Sequence, residues 1–244
     1  MLGLGIGISK SLIAAAGKWI ITDNLVLRHD YRLHPVQPLS DGAAYFVVGN
    51  TDHISCGDNL DVTTNDFSVC AWIKTTATSG VVLAKRASGA GYELGLGGGG
   101  SSWYLNAVDD GAVADDEDTV AVNDSNWHHI AWVFDRSGLA YRYIDGVNSG
   151  TNGSIISTPL SLANARNVGI GARLKDTPDS HFDGYICNLG FWDNKVLSQA
   201  EIKSIMWKNY SDLTSDETDD LVSWYNLSAD ANDSTANANN GTLA

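Results

Sequence analysis

The sequence predicts an all-β chain: a two-sheet antiparallel jelly-roll sandwich with one short helix and an extended N-terminal arm. Three observations predict it. From Ala43 onward, short apolar runs recur between clusters of Gly, Asn, Asp and Ser. Eight Trp and nine Tyr stand beside only 15 Lys and Arg in 244 residues, which suits an aromatic-packed, sheet-rich core. Only one segment carries helical signals. The number and length of the strands favour a jelly roll over an immunoglobulin-type sandwich.

The first element is the arm, residues 1–40, followed by the domain, residues 41–244. The start, "MLGLGIGISKSLIAAAGKW", resembles a signal peptide only superficially. It lacks a basic leading region, Lys10 interrupts the apolar stretch and glycines dilute it, so the arm is expected to be retained. "NLVLRHDYRL" alternates like a strand, and Pro35 and Pro38 then break it. Trp19, Ile20, Leu25, Leu27, Tyr31 and Leu33 are the apolar positions by which such an arm would hold a neighbouring subunit.

The strands follow. "AAYFVVG" and "DHISCG" are short extended runs. In "FSVCAWIK", Phe67, Val69, Ala71 and Ile73 face one way and Cys70, Trp72 and Lys74 the other. "GVVLAKR", "GYELGLG" and "SSWYLNAV" come at hairpin spacing, with Gly95–Gly100 supplying a hairpin tip. "WHHIAWVFD" is a long apolar strand fit for the interior. "LAYRYIDG" ends in Asp145-Gly146, a hairpin turn signal. "NVGIGA" and "GYICNLGFWD" add two more. Ser198, with Glu201 three residues on, forms a capping box for a helix whose Ile202, Ile205 and Met206 share one face. After the acidic loop "SDETDD" comes a last strand, "LVSWYNLS", and a polar tail.

Charge and composition exclude several functions. The net charge of −14 repels nucleic acid and anionic lipid surfaces, and the few cations form no cluster along the chain. No run is long and apolar enough for a membrane-spanning helix. Cys56, Cys70 and Cys187 show no CxxC spacing and read as buried or free thiols, with one Cys70–Cys187 bridge as the alternative. His128 and His129 are neighbours on a strand and point to opposite faces, so they read as one packed and one surface histidine rather than a metal pair. The glycine tip lacks the Lys-Ser/Thr and helix of a phosphate loop. A catalytic serine elbow is absent, and Glu93, Glu117, Glu201 and Glu217 do not fall in a paired-carboxylate pattern. The chain therefore reads as a non-enzyme.

"FSVCAWIKT", "SNWHHIAWVFD", "YIDG", "IGAR" and "HFDGYICNLGFWDNKVLSQAEI" come in the order seen in laminin G-like and pentraxin-like domains. Over roughly residues 43–210 the chain resembles that family, whose fold is the concanavalin A-like jelly roll. The resemblance implies structural roles for Trp72, Trp127, Trp132 and Trp192 as buried area in a two-sheet core, and for Gly146 and Gly184 at turns and close approaches. "LVSWYNLSADANDSTANANNGTLA" resembles a family motif that usually precedes the first strand. Here it would fill the same sheet edge from the C-terminal side, in its own subunit or in a neighbour.

The resemblance also implies ligands. Many relatives hold calcium at sandwich loops, and the clustered oxygens here are those of Asn50, Asp52, Asp109, Asp110, Asp115, Asp116 and Asp118. Glycan binding is the family's frequent use, and Tyr92, Trp103 and Tyr104 are the aromatic candidates. A glycine-rich arm ahead of such a domain is similar to virion structural proteins of tailed phages. The expected role is a capsid-decoration or tail subunit on the outer virion surface. Its partners would be other virion subunits, itself and host-surface polysaccharide, with no nucleic acid and no membrane insertion. The alternatives are a secreted, calcium-dependent extracellular lectin and, last, a glycan hydrolase.

Overall fold

The computed structural model describes residues 42–87, 90–106, 113–117, 120–149, 153–154 and 161–244, and of 103–106, 113–117 and 153–154 the backbone alone. The chain divides into two units, Met1–His34 and Pro35–Ala244, and every described residue belongs to the second. Trp19, Ile20, Leu25, Leu27, Tyr31 and Leu33 of the arm lie outside the described residues, as do Asp109, Asp110 and Asp118.

The strands in chain order are β1 (Ala44–Phe46), β2 (Ile54–Ser55), β3 (Phe67–Lys74), β4 (Gly80–Ala87), β5 (Ala90–Gly97), β6 (Gly100–Asn106), β7 (Val113–Glu117), β8 (Trp127–Phe134), β9 (Leu139–Ile144), β10 (Val147–Asn148), β11 (Gly153–Ser154), β12 (Gly169–Ile170), β13 (Gly184–Asp193), β14 (Leu221–Tyr225) and β15 (Thr242–Leu243). They build two antiparallel sheets. One runs β1-β13-β3-β8-β9-β10, with β11 on β9 and β14 on β13; the other runs β15-β2-β12-β4-β5-β6-β7. This is the jelly-roll sandwich that the strand pattern predicts. The "LVSWYNLS" strand, β14, joins its own chain, and β15 after it pairs with β2 of the other sheet. β14 pairs with residues 189–192 of β13, and β1 pairs with residues 184–186 of the same strand.

Alternation decides which side chains enter the core. On β3, Phe67, Val69, Ala71 and Ile73 point between the sheets, where Phe67 stacks on Phe134 with ring centroids 4.3 Å apart. The turns are the ones their residues demand. Gly98 and Gly99 join β5 to β6 with φ of 57° and 92°, and Asp145 and Gly146 join β9 to β10 with φ of 52° and 72°. Two consecutive positive φ values are the type I′ geometry that matches strand twist.

The outer face of the eight-stranded sheet carries helix α1 (Gln199–Ile205). Its capping box is complete: Ser198 accepts from the Glu201 N–H, and Glu201 accepts from the Ser198 N–H. Ile202 and Ile205 press onto Cys70, Ala131, Val133, Trp192 and Trp224. Trp192 and Trp72 are thus buried under the helix and the turn that follows it, not between the sheets. Trp192 Nε1 donates to Glu217 O and Trp72 Nε1 to Met206 O, each at 2.8 Å. The expected loop "SDETDD" contains a helical turn, α2 (Ser215–Thr218), because Thr214 and Glu217 make a second capping box. All three cysteines are buried thiols, with no Cys70–Cys187 bridge. Burial pushes the Cys70 thiol up to about 12 and the Cys56 thiol to about 11.

Candidate functional site

Helix α1 covers only part of the outer face. The cover ends at the row Cys187–Trp72–His129, which the strand register places side by side on β13, β3 and β8. Trp72 there meets Trp207 at 5.7 Å and the edge of His129 at 5.5 Å. One row further out, the register aligns Tyr45 on β1, Tyr185 on β13, Lys74 on β3 and Trp127 on β8. Nothing among the described residues is packed over this row as the helix is over the last one. Tyr45 is 57% exposed and Tyr185 37%, the most exposed aromatics among the described residues.

The rings form a continuous surface. Tyr45 and Tyr185 stack with centroids 4.5 Å apart, and Trp127 leans on Tyr185 at 6.0 Å. Beside them lies a shallow hollow of about 190 Å3 bounded by Lys74, Thr76, Ser125 and Asp183. Among the described residues, the Lys74 ammonium and the Thr76 and Ser125 hydroxyls make no side-chain hydrogen bond, so they are open to a ligand. Asp183 accepts a long bond from the Val48 N–H at 3.4 Å and keeps its second oxygen. Flat apolar faces beside a few donors and acceptors can hold the CH face of a sugar and its hydroxyls together.

The floor is fixed by backbone. Gly184 opens β13 at φ 139°, and a Cβ there would stand 2.3 Å from Lys74 O. Thr75 Oγ1 donates to Asp183 O at 2.5 Å, and the Ser125 N–H donates to Thr75 O at 3.0 Å, tying the three loops around the hollow. Behind Trp127, His128 bridges Asp145 at 2.9 Å and Asp124 at 3.1 Å. The Asp145 bond raises its pKa above the usual histidine value. His129 is 1% exposed and burial pushes its pKa down to about 4. The pair points to opposite faces, as the alternation requires, with His129 buried against Trp72 and His128 partly buried between its two carboxylates.

The residues chosen from sequence fare differently. Tyr92 is a correction: it is fully buried between the sheets, its ring 5.6 Å from Phe67, and its hydroxyl donates to Leu60 O at 3.0 Å. It cannot meet a glycan. Trp103 and Tyr104 are backbone positions of β6, standing opposite Leu94 and Asp116, and opposite Glu93 and Asp115. Asp115 and Asp116, expected in a loop, are a second correction: they are backbone positions of β7. Asn50 is exposed in a turn, and Asp52 accepts from the Val47 N–H at 3.0 Å. Among the described residues no three His, Cys, Asp or Glu come together as a metal set. Glu93, Glu201 and Glu217 are held in salt bridges or caps by Arg86 and Arg173, Ser198, and Lys208 respectively.

Sequence reasoning missed Tyr45 and Tyr185. The signal was present: Lys74 is the one charged position of β3, and it marks where the outer face meets water.

A family model described as the concanavalin A-like lectin/glucanases superfamily, of laminin G type, matches residues 48–203. Human neuronal pentraxin-1 is 27% identical over 149 residues, covering 57% of this chain and 33% of that protein. The chain thus spans about a third of the length of that relative. Among solved structures, a Bacteroides ovatus protein described as carbohydrate binding superposes with a TM-score of 0.64 at 16% identity, over 85% of this chain and 58% of that one. A heptameric SAP-like pentraxin from Limulus polyphemus gives 0.48 at 14% identity, over 64% and 81%.

Proposed function

The chain belongs to the laminin G-like group of the concanavalin A-like lectin/glucanases superfamily, and from that premise we propose that it is a non-enzymatic carbohydrate-binding domain whose contact surface is the Tyr45–Tyr185–Trp127 row with Lys74. One observation carries this reading: stacked, exposed aromatic rings over which no described residue is packed, beside open donors. The carbohydrate-binding description of the Bacteroides protein supports it. The three glutamates tied up in pairs and caps support the non-enzymatic half. Affinity electrophoresis through a panel of bacterial and algal polysaccharides tests it. At least one neutral polysaccharide retards the chain, and Tyr185→Ala weakens that binding about tenfold, the cost of one aromatic anchor. Equal retardation of both proteins by every retarding polysaccharide refutes it. Binding at this row uses no described calcium ligand, so EDTA leaves it unchanged.

For the whole chain we propose a virion-associated protein, its arm holding other virion subunits or its own copies and its jelly roll facing outward towards host polysaccharide. The alternating sequence "NLVLRHDYRL", residues 24–33, supports this. Sedimentation of the full chain beside a chain lacking residues 1–40 decides. A defined oligomer that becomes monomeric on truncation fits the arm's role; two equal monomers fit a free extracellular lectin.

A further inference from the structure

The cations that lie scattered along the sequence are gathered by the fold. Arg86 at the end of β4, and Arg166, Arg173 and Lys175 from the segments either side of β12, line a cleft of about 560 Å3 beside the seven-stranded sheet. These are four of only 15 Lys and Arg in a chain of charge −14, so the cleft departs from the character of the rest of the molecule. Among the described residues its remaining lining is Ala87, Thr177 and the carboxylate Asp176, with no aromatic and no large aliphatic side chain.

The cations are held in two ways. Arg173 is locked: Nε and one terminal nitrogen donate to both oxygens of Asp179 at 2.8 and 2.7 Å, and the other nitrogen to Glu93 at 3.1 Å. Arg86 donates to the same Glu93 oxygen at 2.8 Å. Glu93, 20% exposed, and Asp179, 33% exposed, pair with these cations and are not among the described lining residues. Arg166 and Lys175 are held loosely. Arg166 is 37% exposed and its partner Asp176, 2.7 Å away, is 93% exposed. Lys175 shares Asp179 with Arg173. An ion pair in water is worth about 0–1 kcal/mol. Asp176 is therefore an easily displaced carboxylate sitting at the position an incoming anion would take, over a preorganised guanidinium floor.

We propose that this cleft binds the anionic group of an acidic saccharide, a carboxylate or a sulfate ester, with Arg166 and Lys175 as the exchangeable contacts and Arg173 as the fixed floor. The anion follows from the cleft itself; that a saccharide carries it rests on the carbohydrate-binding reading above. A single charged sugar unit suits the local cluster, whereas the net charge repels a long polyanion such as nucleic acid.

Isothermal titration of the full-length chain at low ionic strength tests this with trigalacturonate, glucose 6-sulfate, inorganic sulfate and neutral maltotriose. Trigalacturonate or glucose 6-sulfate binds, and which of them does identifies the anion. Maltotriose heat is unaffected by changes in the cleft. The Arg166→Ala, Lys175→Ala double variant weakens acidic-sugar binding at least about fivefold, and Asp176→Asn tightens it about threefold. Substituting Ala at Tyr45 and Tyr185 leaves it unchanged, which separates this site from the aromatic row. No binding of either acidic sugar to the wild type and to Asp176→Asn overturns the proposal, as does binding that the double variant does not weaken. Equal affinity for inorganic sulfate and glucose 6-sulfate overturns the saccharide half.

Discussion

Lowering the pH from 6.5 to 5 removes stability through one residue, His129. It lies on the row that ends the helix-covered face, against Trp72, and its Nδ1 has no hydrogen-bond partner among the described residues. Burial holds its folded pKa at about 4, against an ordinary 6.5; Asp145 pulls the other way and is outweighed. The unfolded chain therefore takes up a proton before the folded one does. Stability is full above pH 6.5 and falls as the pH drops towards 4. At about 1.4 kcal/mol per pH unit the loss reaches about 2 kcal/mol by pH 5 and about 3 kcal/mol by pH 4. For a domain of this size, 2 kcal/mol lowers Tm by about 4–8 °C.

Among the other described groups Asp193 works the opposite way: burial raises its pKa, so the folded chain takes up that proton first and gains stability as the pH falls towards the ordinary carboxylate value. His128 has a raised pKa, so its contribution is complete below the ordinary histidine value and fades only as pH rises. Asp124, Asp179 and Glu217, held at about 2 by their partners, lose their contributions only below the ordinary carboxylate range. Thermal melts followed by tryptophan fluorescence at pH 7.5, 6.5 and 5 measure the effect, with His129→Leu as control. The wild type falls by about 4–8 °C between the last two, and the variant by less than about 2 °C. A flat wild-type profile, or a variant that falls in parallel, refutes the assignment.

Gly184→Ala drives a methyl into Lys74 O at a φ that side chains avoid. It costs about 3 kcal/mol, read as a lowered urea midpoint, and loosens the hollow beside Tyr185. Ser198→Ala removes the α1 cap and costs about 1 kcal/mol, seen as a Tm lower by about 2–4 °C with glycan binding intact. Ellman's reagent finds Cys56, Cys70 and Cys187 unreactive in the native chain, since all three are buried and burial raises the Cys56 and Cys70 thiols, and titrates three thiols in denaturant.

The fold was legible because each strand states its own period and each turn its own chemistry. Phe67 to Lys74 alternates, Asp145-Gly146 demands a type I′ turn, and Ser198 with Glu201 announces a cap. Those are local signals. The functional surfaces are not local. Tyr45 and Tyr185 are 140 residues apart, and only the register of β1 on β13 stacks them. Arg86 meets Arg173 only because β12 lies beside β4. Tyr92 was misjudged because alternation gives two faces without saying which one is inside. The acidic run at 115–116 reads as a loop by charge, yet its backbone pairs with β6, since tertiary pairing overrides the low β-propensity of Asp.

The measurement that bears most directly on the proposed function is an amide NMR titration of the full chain with a polysaccharide fragment that retards it. If the aromatic row is the contact surface, the largest shifts fall on Tyr45, Lys74, Trp127 and Tyr185, and they vanish in the Tyr45→Ala, Tyr185→Ala double variant. Shifts centred instead on Trp103 and Tyr104 of β6, with the row silent, would place glycan binding on the other sheet and contradict the account.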